Sequence, residues 1–224
     1  LRKLFPEAKF ICIVRDFRDN FISLRNLKSV AMEAPVLPLQ IVRWRIIARR
    51  FRKLQKRDPK RFRLIRYEDL VMNPEEEFRQ ICEFVNIPFD PVVFGFHEKM
   101  DAVFQEFNDP RILEIHRSLL DPVNPRKIGL WKSEMIVREK ELSVGLAGKT
   151  GKVLGYTSGN TSLRPVDFLK SLPWIIYGHL LFWVMVQASR LPYRFSMWTA
   201  RNILRLAWFY RKISGKKGDR LQEK

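Results

Sequence analysis

Arg15 and Ser23 are the residues whose types and spacing point most directly to chemistry. The run Lys9-Phe10-Ile11-Cys12-Ile13-Val14-Arg15-Asp16-Phe17-Arg18-Asp19-Asn20-Phe21-Ile22-Ser23 reads as a short apolar strand ending in an arginine, then a turn, then a helix start. Asp19 or Asn20 would cap that helix, placing Ser23 in its first turn. A guanidinium fork and a hydroxyl beside a helix N-terminus, where backbone amides and the dipole already favour negative charge, make a phosphate site. The bland alternative is a surface ion pair of Arg15 with Asp16 or Asp19.

Other candidates are weighed in the same way. Arg126 and Lys127 lie in a loop bounded by Pro125 and containing Gly129, where two cations can close over an anion. Tyr67 ends a second apolar run and is followed by Glu68 and Asp69, which could be read as a carboxylate pair for acid–base work or Mg²⁺. Gly148-Lys149-Thr150 invites comparison with a phosphate-cradling loop. That pattern needs glycine where Ser143 stands and a strand before it, whereas residues 134–142 are patterned as helix. His97, His116 and His179 occupy separate segments without partner spacing and read as surface or core histidines. The two cysteines, Cys12 and Cys82, fall in apolar patterns and read as buried thiols, with no disulfide framework and no metal spacing. Asn160-Thr161-Ser162 fits a glycosylation acceptor.

The elements that must position these groups follow from periodicity. Residues 11–14 are a short apolar, β-rich run, expected as a buried central strand of a parallel sheet, whose carboxyl end is where open α/β sheets bind ligands. Phe17, Phe21, Leu24 and Leu27 recur at helical spacing behind it. A long helix over residues 39–56 carries Trp44, Ile47, Phe51 and Leu54 on one face. Its other face, with Arg43, Arg45, Arg49, Arg50, Arg52 and Lys53, is either a solvated surface or a contact for an acceptor or membrane. Residues 62–67 form a second strand, and Asn73-Pro74 with three glutamates starts a helix whose buried face is Phe78, Ile81, Cys82 and Val85. Asp109-Pro110 begins a further short helix.

Taken together, four segments resemble the sulfotransferases that use 3′-phosphoadenosine 5′-phosphosulfate (PAPS). They are the strand ending in Arg15 with Ser23 on the next helix, Tyr67-Glu68-Asp69-Leu70 with the later Phe84-Val85-Asn86-Ile87, the basic loop Arg126-Lys127-Ile128-Gly129-Leu130-Trp131-Lys132, and Leu154-Gly155-Tyr156. Their order and spacing carry the resemblance over roughly residues 5–157. It implies an α/β fold with a parallel sheet flanked by helices, transferring a sulfuryl group from PAPS to a hydroxyl or amine acceptor. Arg15 and Ser23 would hold the donor's 3′-phosphate, Arg126 and Lys127 would close over the nucleotide, and Tyr67 would reach the adenine or a phosphate or else pack. Glu68 and Asp69 would be structural. In the family, a Pro-x-Ser-Gly-Thr loop for the 5′-phosphosulfate and a catalytic base lie further upstream. They are expected before Leu1, which leaves the catalytic residue unassigned, the fold N-terminally incomplete and no metal called for.

Bulk properties bound the partners. The chain has 224 residues, 46% hydrophobic, with a net charge of +18 and a sequence pI near 10.3. That size suits one domain plus an appendage, and that charge demands an anionic partner. We read residues 1–157 as a sulfotransferase-like domain, 158–170 as a linker and 171–224 as a hydrophobic and basic helical tail. In the tail, the uncharged stretch 171–189 suits a spanning or half-inserted helix, one arm of an interfacial hairpin, or an ordinary appendage. Beyond it, Arg194, Arg201, Arg205 and Lys212 line one helical face with Trp198 and Trp208 at the flanks, suiting an anionic membrane surface. The chain is accordingly expected to be cytoplasmic or membrane-associated. A non-catalytic nucleotide-binding remnant and a basic membrane- or nucleic-acid-binding module are the competing readings, nucleic acid being the less expected partner.

Overall fold

In the computed structural model, the described residues are 5–26, 36–106, 117–158, 162–188 and 190. Two parallel strands, β1 (Phe10–Val14) and β2 (Phe62–Arg66), pair in the register Phe10 with Phe62 through Val14 with Arg66. Between them the chain crosses over through α1 (Phe17–Arg25) and α2 (Leu37–Arg57). After β2 come α3 (Tyr67–Met72), α4 (Pro74–Val85) and α5 (Phe96–Glu106), then, among other short 3₁₀ turns, one at Pro125–Lys127, and α6 (Trp131–Glu134). The long α7 (Val137–Val153) and α8 (Pro165–Ala188) complete the described part. This is the α/β arrangement expected, with helices dominating.

The core lies between one face of the sheet and α1, α2 and α7. Phe17, Ile22, Ile41, Val42, Leu146 and Ala147 are each at most 1% exposed there. At its centre Phe17, Trp44 and Tyr156 meet edge to face, with ring centroids 5.0, 6.5 and 6.0 Å apart. Each such pair adds about 0.5–1.5 kcal/mol beyond the area it buries.

Several local expectations are corrected. β1 does not have both faces buried: Ile11 and Ile13 are exposed, because the described helices cover only the face that carries Val14. The cap of α1 is Asp16, whose side chain accepts from the Arg18 amide at 2.9 Å, so the helix starts earlier than Asp19 would have it. Ser23 therefore lies at the end of the second turn. Leu24 is exposed, and Leu27 lies outside the described residues. In α2 the buried face carries Ile46, and Ile47 points outward at 52% exposure. Tyr67 opens α3 and is not the last residue of β2. Asn73 makes no side-chain cap bond, so proline at the first helical position and the acidic first turn remain as the start signals of α4. Cys82 is buried as expected, but Cys12 is only half-buried, with burial raising its thiol pKa.

Residues 165–170, expected within a linker, are helical, with Pro165 at the first helical position. Asp109-Pro110, His116, the glycosylation triplet at Asn160 and Thr161, and the basic helix beyond residue 190 lie outside the described residues.

Tyr156 generates a titration prediction. Burial first, and then the neighbouring Glu68 carboxylate, push its phenol well above the ordinary value of 10.0. The neutral phenol is thus favoured by the fold, and its contribution is complete below pH 10.0. Above that value the unfolded chain releases a proton that the folded chain keeps, and stability falls. Chemical unfolding across pH 9–12 should show a steeper decline for the wild type than for Tyr156→Phe. At neutral pH the same substitution should cost about 1–3 kcal/mol by orphaning the Glu68 oxygen.

Candidate functional site

The exit of β1 is held from three sides. The Trp44 indole Nε1 donates to the Arg15 carbonyl at 2.9 Å. The Asp16 amide donates to Glu68 Oε1 at 2.8 Å. The Tyr156 hydroxyl donates to Glu68 Oε2 at 2.8 Å, with the Val14 carbonyl 3.1 Å away. Arg18 seals the turn: its Nε and Nη2 reach the two Asp16 carboxylate oxygens at 2.9 and 2.6 Å, Nη2 also meets the Tyr156 carbonyl at 2.7 Å, and the guanidinium lies 3.6 Å over the Trp131 ring.

Asp19 performs a different task from the capping expected of it. It is 1% exposed, and its two oxygens accept from the Gly129 amide at 2.7 Å and the Trp131 amide at 3.0 Å. Gly129 makes that grip possible by adopting φ 79°, where a side chain would be strained. Asp19 thereby ties α1 to the loop that carries Arg126 and Lys127. Sequence reasoning missed this role because a carboxylate two or three residues into a helix is indistinguishable from a cap without knowledge of its distant partner.

With both aspartates committed, Arg15 pairs with no carboxylate among the described residues, which removes the surface ion-pair alternative. Its Nη2 donates to the Lys127 carbonyl, its guanidinium lies 5.0 Å from the Tyr67 ring centroid, and its Nε is buried without a hydrogen-bond partner. Arg15, Ser23, Tyr67, Arg126 and Lys127, all five binding residues read from the sequence, line a single cavity of about 560 Å³. Ser23 sits exposed on it, and Arg126 and Lys127 sit on the 3₁₀ turn whose preceding Asn124 side chain accepts from the Arg126 amide at 3.3 Å. Phe78, Phe94 and Phe96 line the cavity too, with Phe78 and Phe94 meeting edge to face at 5.9 Å. Three cations, the Asp121 carboxylate and three phenylalanine rings thus line one space, suited to a ligand that has a phosphate and a flat apolar ring.

Among the remaining candidates, Glu68 is 9% exposed and accepts from the Asp16 backbone amide and the Tyr156 hydroxyl. Asp69 faces Arg66 at 3.5 Å. Gly148, Lys149 and Thr150 fall inside α7, where Gly148 breaks the helix with φ 54°, and the residues directly before them are helix, not strand. Among the described residues no group of His, Cys, Asp and Glu could hold a metal ion.

A family model described as the sulfotransferase family matches residues 1–91. The chain is 25% identical to protein-tyrosine sulfotransferase of Drosophila melanogaster over 77% of its own length and 34% of that protein. It is 27% identical to protein-tyrosine sulfotransferase 1 of Danio rerio over 58% of the chain and 37% of the relative. With protein-tyrosine sulfotransferase A of Caenorhabditis elegans it shares 30% identity over 58% of the chain and 34% of the relative. The chain thus spans roughly a third of the length of the curated relatives it matches.

Two amides report on the Asp19 anchor. In Asp19→Asn, hydrogen exchange at Gly129 and Trp131 should accelerate by roughly 10- to 100-fold, the value of hydrogen bonds to a charged acceptor. The core amides of α2 should be unchanged. The strand, turn and helix that present Arg15 and Ser23 lie within residues 1–91, the part of the chain that the sulfotransferase family model matches.

Proposed function

We propose that this chain supplies the nucleotide-holding part of a sulfotransferase that moves a sulfuryl group from PAPS to a hydroxyl, the phenol of a polypeptide tyrosine being the favoured acceptor. The convergence of Arg15, Ser23, Tyr67, Arg126 and Lys127 on one cavity carries the reading. The buried Arg15 Nε without a partner is the group that a 3′-phosphate would satisfy. Arg126 and Lys127 would add two cations from the turn that closes the same space. The aromatic wall of Phe78, Phe94 and Phe96 fits a purine ring.

In the transfer, the bond between sulfur and the bridging oxygen of the 5′-phosphate breaks as a bond from the acceptor oxygen to sulfur forms. The acceptor's proton is released, leaving adenosine 3′,5′-bisphosphate and a sulfate ester. The protein's contribution is mainly to position the donor and to neutralise charge on the leaving oxygens. The five cavity residues work at the 3′-phosphate end of the donor, so they bind and orient, and the catalytic base stays unassigned. A tyrosine acceptor is favoured over an amine because the relatives are protein-tyrosine sulfotransferases.

Calorimetry and thermal unfolding with adenosine 3′,5′-bisphosphate test this directly. The nucleotide should raise the melting temperature of the wild type, and Arg15→Ala should weaken binding by roughly 10- to 100-fold, as expected for loss of a charged hydrogen-bonding group. Ser23→Ala should cost only a few-fold, near the roughly 1 kcal/mol of one neutral donor. Adenosine 5′-phosphate, lacking the 3′-phosphate, should bind wild type and Arg15→Ala alike. No stabilisation of the wild type by the bisphosphate would end the reading.

A further inference from the structure

Behind α2, away from the nucleotide cavity and sharing none of its lining residues, lies a second concave region of about 750 Å³ between α2, α7 and α8. Arg45, Arg49, Arg50, Arg52 and Lys53 line it from α2 and Lys149 from α7, and no carboxylate does. Arg49, Lys53 and Lys149 are exposed and have no carboxylate partner among the described residues. Arg45 is held in place by donating to the Leu146 carbonyl at 2.8 Å, and burial first, then Arg49 beside it, lower its pKa. A cleft that gathers this many like charges is a site of unfavourable repulsion that an anion would relieve.

The cleft adjoins the most apolar helix of the chain. α8 packs one stripe, Ser171, Ile175, Gly178 and Phe182, on α2, close enough that a Cβ at Gly178 would stand 3.1 Å from Val42. Its opposite face leaves Ile176, Leu180 and Trp183 more than half exposed. The helix is long and apolar enough to cross a membrane by length and composition, with 11% of its most apolar window buried. Lying along a basic helix, it is instead arranged as a surface helix is, with apolar groups outward and cations beside them. Phe182 belongs to both features, since the Arg50 guanidinium sits 4.3 Å from its ring centroid.

The geometry points to a lipid-binding site: the basic cleft takes the phosphate headgroups of an anionic membrane while the outer face of α8 enters the acyl boundary beside it. The site is independent of the nucleotide reading. Soluble polyphosphates share the same phosphate chemistry, and the membrane is favoured because the exposed apolar face is contiguous with the cations.

Flotation of the full chain with phosphatidylcholine vesicles, with and without phosphatidylserine, tests the assignment. The wild type should float with the anionic vesicles and far less with the neutral ones. The triple variant Arg49→Gln, Lys53→Gln, Lys149→Gln should bind anionic vesicles roughly a hundred-fold more weakly, in line with the usual worth of cations near an anionic surface. Its far-ultraviolet spectrum and its binding of adenosine 3′,5′-bisphosphate should be unchanged. Should the triple variant fail to fold, the single exposed change Lys149→Glu carries the test and should weaken flotation about tenfold. Equal binding of both vesicle types, or retention by the charge variants, overturns the proposal. If inorganic pyrophosphate raises the melting temperature while no vesicle binds, a soluble anion is the occupant and the membrane assignment falls.

Discussion

Glu68 accepts two hydrogen bonds at once, from the Asp16 amide and the Tyr156 hydroxyl, each at 2.8 Å, and so joins three distant parts of the chain. It sits on α3, directly after β2; Asp16 follows β1; Tyr156 follows α7. A carboxylate this buried is tolerable only because its oxygens are satisfied, and satisfied it fixes the mutual orientation of the elements that supply its donors. The immediate neighbours inherit that order: Tyr67 precedes Glu68 in sequence and Arg15 precedes Asp16. The 5.0 Å stacking of Arg15 on Tyr67 is therefore a consequence of where Glu68 is held.

The same frame explains why Arg15 keeps an unmatched charge. Two aspartates stand within four positions of it, and either would neutralise it if free. Asp16 is taken by the buried pair with Arg18, whose side chains are only 9% and 8% exposed. Asp19 is taken by the Gly129 and Trp131 amides. A buried ion pair such as Asp16–Arg18 is weak evidence for stability, and its value here lies in geometry. It leaves the guanidinium of Arg15 with a backbone carbonyl and an aromatic ring as neighbours, neither of which cancels charge. Sites that deviate from local optimisation in this way are the ones expected to serve a ligand.

The fold and the site were legible in the sequence to different depths. The apolar run before Arg15 and the period of residues 37–57 pointed to strand and helix, because hydrophobic spacing reports directly on local structure. The grouping of Arg15, Ser23, Tyr67, Arg126 and Lys127 came through resemblance, since residues more than a hundred positions apart carry no local signal of contact. Asp19 and Trp44 were read as a cap and a core residue. Their further bonds, to the loop amides and to the Arg15 carbonyl, depend on tertiary placement that periodicity does not encode. The one-residue shift from Ile47 to Ile46 on α2 has a similar origin: the helix meets α1, α7 and α8 on different sides, so its buried surface is wider than a single stripe.

That breadth makes α2 the member that relates the two cationic regions to each other. Trp44 touches the backbone of Arg15 on one side, while Arg45, the next residue, bonds the α7 carbonyl of Leu146 on another. Farther along, Arg50 covers Phe182 of α8. A helix of 21 residues is about 31 Å long and stiff on that scale. Among the described residues, cations gather at a cavity where the strands end and at a cleft on the far side of one helix, and a rigid element sets the spacing between them. A surface that engages the cleft would hold the cavity at a fixed height and angle above itself. This is the geometric condition under which one basic chain can serve a small phosphorylated ligand and an extended anionic surface at once, without either competing for the other's cations.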